Sequence, residues 1–313
     1  MIDWIDNSFP LLANLPPIGR ARGYRLYASG GRRFVDLWQY GGKALLGHTP
    51  PALLKTLKNA ASRGLLTPLP HPARQRLARA LEKLFPGCSF RIYPDRAALC
   101  KALKTPDPVL KAPDPVLQTP DTVSRDPAAP AAGPQDCQLW RPFWDEGAPL
   151  AFKDAPRAFV PVLPLPWMNA PEILVLKGPE QADTKGALAG LDTGDFVSPL
   201  LLAGLTRAVY DLIAASQSRL PDLKKYSRDF PLWKRRGVYF LFCGGEHRGE
   251  AGSGAKDPET ADSGKKLLYK SLFARFLDRG FLLPPDPGLP AILPPGLSPG
   301  EESALISLLS FTP

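Results

Sequence analysis

The chain has 313 residues, 44% of them hydrophobic, with 39 Lys and Arg against 30 Asp and Glu and a formal charge of +9. Length and apolar content suffice for a real core in one large or two smaller domains, and no stretch approaches the ~20 apolar residues that span a bilayer. The positive surplus favours anionic partners, but it is scattered in small knots (Arg20/Arg22/Arg25, Arg32/Arg33, Lys234/Arg235/Arg236) without interleaved aromatics, so neither nucleic acid nor membrane is an expected partner.

Two further counts narrow the class. Proline occurs 38 times, more than twice the usual share of about 5%. Such a surplus does not fit inside helices or central strands, because proline lacks an N–H and clashes with the preceding turn. Cys88, Cys100, Cys137 and Cys243 match no zinc or Cys-x-x-Cys spacing, which suits reduced thiols. Asp3 and Asp6 stand where a signal peptide would be basic, so a cytoplasmic protein is expected.

In chain order, Tyr24–Leu37 reads as a hairpin turning at Ser29-Gly30-Gly31. Trp4, Ile5, Phe9, Leu11 and Leu12 before it suit either an intersubunit contact or internal packing. Pro50-Pro51 opens a helix with Leu53, Leu54, Leu57, Ala60 and Ala61 at helical spacing. A second helix follows Pro72 and stops at Pro86-Gly87. Phe90–Tyr93 reads as a strand and Ala97–Leu103 as the next helix, with Asp95 as its cap.

Thr105-Pro106-Asp107-Pro108-Val109-Leu110-Lys111 is then echoed at Ala112–Gln118 and, worn, at Thr119–Arg125. This composition buries too little apolar surface to offset chain entropy, so 105–137 is predicted to be a disordered, proline-rich insertion. Phe159–Trp167, with alternate prolines, is restricted to an edge strand or a polyproline segment. Ile173–Leu176, short and continuously apolar, is the best central strand. Ser198-Pro199 opens a long apolar helix with Ser198 as cap. Val238–Phe242 is a strand, Gly244–Lys266 a polar loop and Leu267–Leu277 a helix. Gly280–Leu283 and Ala291–Leu293 are short strands. Ser298 and Glu301 form a capping box for the last helix.

The run Arg22-Gly23-Tyr24, Gly30-Gly31, Phe34-Val35-Asp36-Leu37-Trp38, Gly41-Gly42 and Leu46-Gly47-His48 resembles the opening of class III aminotransferases. These are pyridoxal-phosphate (PLP) enzymes of fold type I. Arg279–Leu282, Ile292-Leu293-Pro294 and Leu297–Glu302 are similar to the small C-terminal domain of that fold. The likeness covers roughly two-thirds of the chain, and the order of its modest motifs carries it. It implies PLP as cofactor and a homodimer, or pairing with a related subunit.

PLP chemistry requires a Schiff-base lysine, a carboxylate on the pyridine nitrogen and a phosphate cradle of backbone N–H groups. Lys177, after the Ile173–Leu176 strand, is the catalytic candidate; its alternative role is an ordinary strand end. Asp145, before Glu146, is the candidate for the pyridine nitrogen, and a surface loop residue is the alternative. The cradle position holds Tyr93-Pro94-Asp95-Arg96-Ala97 in place of a serine-glycine-threonine turn. Pro94 lacks a donor and Asp95 repels phosphate, which leaves Arg96 as the candidate phosphate ligand. His48 reads as structural, His71 as inert, and His247 lies in the polar loop. No metal is expected, and no triad is apparent.

The expected fold is α/β: an abbreviated PLP-transferase-like (fold type I) three-layer core with a small C-terminal α/β domain. The hairpin segment (1–50) is expected to pack with the C-terminal domain (216–313). The shortened large domain takes 51–104 and 138–215, with room for two or three strands between the Ala97 and Ser198 helices. Three functions are consistent with this. The first is a degenerate aminotransferase relative without normal PLP chemistry, binding a metabolite or serving as a non-catalytic partner subunit. The second is a working, abbreviated PLP enzyme using Lys177, and the third an interaction protein using the proline-rich insertion.

Overall fold

The computed structural model describes residues 9–103, 137–178, 196–216, 221–227, 229–244 and 258–312. The chain divides into two compact units, one of Thr49–Ser218 and one joining Met1–His48 to Arg219–Pro313. The proline-rich repeat, Trp4, Ile5 and His247 lie outside the described residues. Among the described residues, no helix is long and apolar enough to cross a membrane.

In the Thr49–Ser218 unit, helices α1 (Pro51–Ala61) and α2 (Ala73–Leu84) precede strand β4 (Cys88–Tyr93) and helix α3 (Arg96–Leu103). Strands β5 (Gln138–Trp140), β6 (Ala158–Pro161) and β7 (Glu172–Lys177) and helix α4 (Pro199–Ala215) complete it. The sheet order is β4-β7-β6-β5. β7 lies between two strands, antiparallel to both β4 and β6, and residues 172–176 are all buried.

Alternation along β7 sends its side chains to two helical layers. Leu174 and Leu176 join Val160, Tyr93 and Cys137 against Leu99 and Leu103 of α3. On the opposite side, Phe159, paired with Val175, meets Phe85 at a ring separation of 5.2 Å. Phe85 follows α2, which packs on β4, and α4 packs against both α1 and α2. The outcome is a helix–sheet–helix core, shortened to four strands among the described residues.

Three local readings need correction. β6 is not an edge strand, since it pairs with β5 as well as β7. Pro161 is tolerated there because pairing with β7 runs only from Ala158 to Phe159, so no donor is required of it. Ser198 does not cap α4 with its side chain; its hydroxyl donates instead to Leu65 O at 3.4 Å. The helix expected from Leu267 begins at Pro258, proline being at home in a first helical turn.

The other unit carries the sheet β1-β2-β3-β10, from Ile18–Arg22 (β1), Arg25–Ala28 (β2), Arg33–Asp36 (β3) and Phe281–Leu282 (β10). A second sheet, β11-β9-β8, comprises Ala291–Ile292 (β11), Tyr239–Phe242 (β9) and Trp233–Arg236 (β8). β10 lies parallel to β3, with Phe281 opposite Val35. Helix α5 (Pro258–Asp278) contributes Tyr269 and Phe276 to an aromatic cluster with Trp233 and Phe242. Phe9 packs internally, its ring 5.7 Å from that of Trp38. Helix α6 (Pro299–Leu309) opens with the capping box of Ser298 and Glu301.

Candidate functional site

Lys177 ends β7, and its backbone N–H donates to Arg157 O at 2.8 Å. Its ammonium donates to Lys153 O at 2.8 Å and to Ala155 O, and lies 6.0 Å from the centre of the Phe152 ring. Burial lowers its pKa below the ordinary lysine value, against smaller upward pulls from Cys88 and Asp154. The group is therefore partly desolvated and held by main-chain oxygens of the 153–155 turn.

Arg96 opens α3, and its Nε reaches Glu172 Oε1 at 3.4 Å. Glu172 is 5% exposed and begins β7. Register pairs Tyr93 with Glu172 and Cys88 with Lys177, so Arg96 and Lys177 belong to opposite ends of one strand. At 3.2–3.4 Å per residue those ends are roughly 17 Å apart. Asp95 Oδ1 accepts the Ala98 N–H at 2.8 Å, which makes it the side-chain cap of α3. Asp145 and Glu146 are exposed, in the turn that follows buried Phe143. Lys177 and Arg96 thus lie at opposite ends of β7, and Asp145 lies in an exposed turn.

His48 Nε2 lies 2.8 Å from Asp36 Oδ2, and Asp36 Oδ1 accepts the N–H groups of Trp38 and Gln39, each at 2.9 Å. Asp36 is 2% exposed, so this is a buried carboxylate satisfied on both oxygens. It fixes a turn in which Gln39, Tyr40, Gly41 and Gly42 all take positive φ. The sequence reading gave Asp36 no role, though an Asp two and three residues ahead of the N–H groups it binds is a recognisable turn signal. Glu172 was likewise unassigned, because an acidic residue at a strand start carries no signal of its eventual partner. Among the described residues, no three His, Cys, Asp or Glu side chains gather as a metal site, and none of the four cysteines is in a disulfide.

Comparison with solved structures decides the architecture. An omega-transaminase from Sphaerobacter thermophilus superposes with a TM-score of 0.59 at 15% identity, covering 94% of this chain and 90% of that one. A glutamate-1-semialdehyde aminomutase from Pseudomonas aeruginosa gives 0.56 at 15% identity, over 94% and 86%. Plasmodium falciparum ornithine delta-aminotransferase gives 0.55 at 14%, over 95% and 93%.

The chain has the fold of the class III aminotransferases.

It carries that fold type I architecture in a divergent, shortened form. The curated relatives match over short segments. An uncharacterized protein of Borreliella burgdorferi is 44% identical over 61 residues, 20% of this chain and 23% of the relative. A glutamate-1-semialdehyde 2,1-aminomutase of Syntrophus aciditrophicus is 35% identical over 70 residues, 22% of this chain and 16% of the relative. The chain thus spans a quarter or less of the curated relatives it matches. No family model matches it.

One neighbour, a glutamate-1-semialdehyde aminomutase variant, was solved in complex with PMP. The residues here do not fit such a group. Between β4 and α3, Pro94 offers no N–H and the Asp95 carboxylate takes a free amide of the α3 start. The Arg96 guanidinium there is engaged by the buried Glu172 carboxylate. Two carboxylates therefore occupy the start of α3, the turn where the resemblance would place a phosphate. An exposed Asp145 lies in high dielectric, where a carboxylate acts only weakly on a ring nitrogen.

Proposed function

We propose that this chain is an aminotransferase-like protein that has lost normal PLP transaminase chemistry. It acts as a metabolite-binding protein or as the non-catalytic member of an assembly with itself or a related subunit. The observation that carries this reading is the pair of carboxylates, Asp95 on the amide and Glu172 on Arg96, at the turn that a phosphate cradle would need. Phosphate binding at a helix start depends on free N–H groups and positive potential, and both are spent here on the protein's own acids. Size-exclusion chromatography with light scattering tests the assembly, with a dimer expected.

One observation favours a second reading, a working abbreviated enzyme. Burial lowers the Lys177 pKa, which is the direction an amine nucleophile requires. An absorbance titration of the purified full chain with PLP separates the two. The expected result is no visible band beyond free PLP, identical in the wild type and in Lys177→Ala. A yellow species that appears in the wild type and vanishes in Lys177→Ala overturns the proposal and establishes the enzyme.

A further inference from the structure

A cleft of about 320 Å³ opens among α1, α2 and α4, within the Thr49–Ser218 unit. Its size lies in the usual range of small-molecule sites. None of Lys177, Arg96 or Asp145 lines it. The three helices pack through apolar faces, and each turns a second side, of small and polar residues, towards this space. α1 contributes Thr56, Asn59 and Ala60, and Arg63 follows in the turn just after it; α2 contributes Ala73 and Arg76, and α4 contributes Ala203, Thr206, Arg207 and Tyr210. These are i, i+3, i+4 and i+7 spacings, so each set lies on one side of its helix.

The charge in the cleft has one sign. Arg63, Arg76 and Arg207 contribute three guanidiniums, and no carboxylate is among the lining residues. Arg207 is engaged by Asp211 one turn on, outside the lining. Arg63 and Arg76 are exposed, and their guanidiniums have no ion-pair or hydrogen-bond partner among the described residues. Lys83 adds a further cation beside the site, its ammonium 5.2 Å from the Tyr210 ring centre.

Neutral polar groups line the cleft as well. His71 Nδ1 accepts the Ala73 N–H at 3.1 Å, so a neutral ring carries its proton on Nε2 as a donor. The hydroxyls of Thr56 and Thr206 donate to Ala52 O and Leu202 O of their own helices. The groups left to meet a ligand are therefore the guanidinium forks, the His71 donor, the Asn59 amide and the Tyr210 hydroxyl, beside small apolar side chains. Guanidinium forks match the paired oxygens of phosphate and carboxylate.

We propose that this cleft binds a compact dianionic metabolite, a phosphate monoester or a dicarboxylate, through Arg63 and Arg76. The site shares no residue with the Lys177 and Arg96 arrangement, so it stands whether or not PLP chemistry survives. A ligand with a single negative charge leaves one of the two forks unmatched, which is why a dianion is the preferred occupant.

Isothermal titration of the full chain with inorganic phosphate and, separately, with succinate tests this. Saturable one-site binding of at least one probe is expected, and whichever binds identifies the source of the dianion. Arg63→Gln and Arg76→Gln should each weaken it roughly tenfold, the scale of one lost charged hydrogen bond. Arg79→Gln, which removes the same charge from α2 outside the cleft, should leave affinity unchanged. Circular dichroism confirms that each variant is folded. Absence of binding by both probes at millimolar concentration overturns the proposal. So does binding that survives both cleft substitutions, or that falls equally in Arg79→Gln.

Discussion

Single residues set two testable properties of the Met1–His48/Arg219–Pro313 unit. Asp36 accepts the Trp38 and Gln39 amides and meets the His48 ring while almost fully buried. Asp36→Ala leaves the Trp38 and Gln39 amides unsatisfied in a turn that already carries positive φ at Gln39 and Tyr40. The expected loss is on the order of 3 kcal/mol, read as a lowered urea midpoint with unchanged slope. Glu301 offers a pH signature. Its carboxylate accepts from Arg25 at 2.5 Å and from the Ser298 N–H at 2.8 Å, and Arg25 above all pulls its pKa down from 4.5 to about 2. A group whose folded pKa is depressed stabilises above the unfolded value and loses that contribution as pH falls towards the folded one. Stability should therefore decline between about pH 4.5 and 2 in the wild type. In Glu301→Gln this part of the acid limb should flatten, as followed by thermal melts across that window.

At the scale of elements, Phe85 is where helix and sheet lock together. It is fully buried and meets Trp140, Phe152 and Phe159 edge-on at 4.9, 5.3 and 5.2 Å. Phe85→Ala should cost about 4 kcal/mol, and near-UV circular dichroism should lose signal as the surrounding rings loosen. Elements with strong local signals were legible beforehand. The Ile173–Leu176 run, continuously apolar, predicted a central strand and lies in one. Asp95 predicted a cap and is one, and so did Ser298 with Glu301. The hidden parts depend on partners distant in sequence. β8 contains the basic knot Lys234-Arg235-Arg236, whose charge masks a strand pattern, and only its pairing with β9 defines it. The Glu172–Arg96 pair joins residues 76 positions apart, and no local pattern announces it. The basic cleft is hidden for the same reason, since Arg63, Arg76 and Arg207 come together only when three helices pack.

At the scale of the whole molecule, the fold type I architecture was legible because motif order survives where motif detail does not. The opening Arg22–Trp38 run and the closing Gly280–Glu302 run kept their order, and both contribute to one unit. The catalytic middle was less legible, since the sequence showed departures from a pattern but not what replaced it.

That shared unit also constrains how the protein is made. Arg25 and Glu301 lie 276 positions apart in one ion pair, and β3 waits for β10 to complete its parallel neighbour. At translation rates of about 5–20 residues per second, the first hairpin leaves the ribosome roughly 12–50 s before its partner exists. During that interval β3 is an uncovered edge, the kind of surface that pairs with the wrong chain. Ribosome-stalled chains ending before Phe281 should accordingly be cut by protease within 25–36, and chains released at full length should resist. A nascent-chain chaperone acting on this protein would have its task at the beginning of the sequence, and could let go only when the last strand arrives.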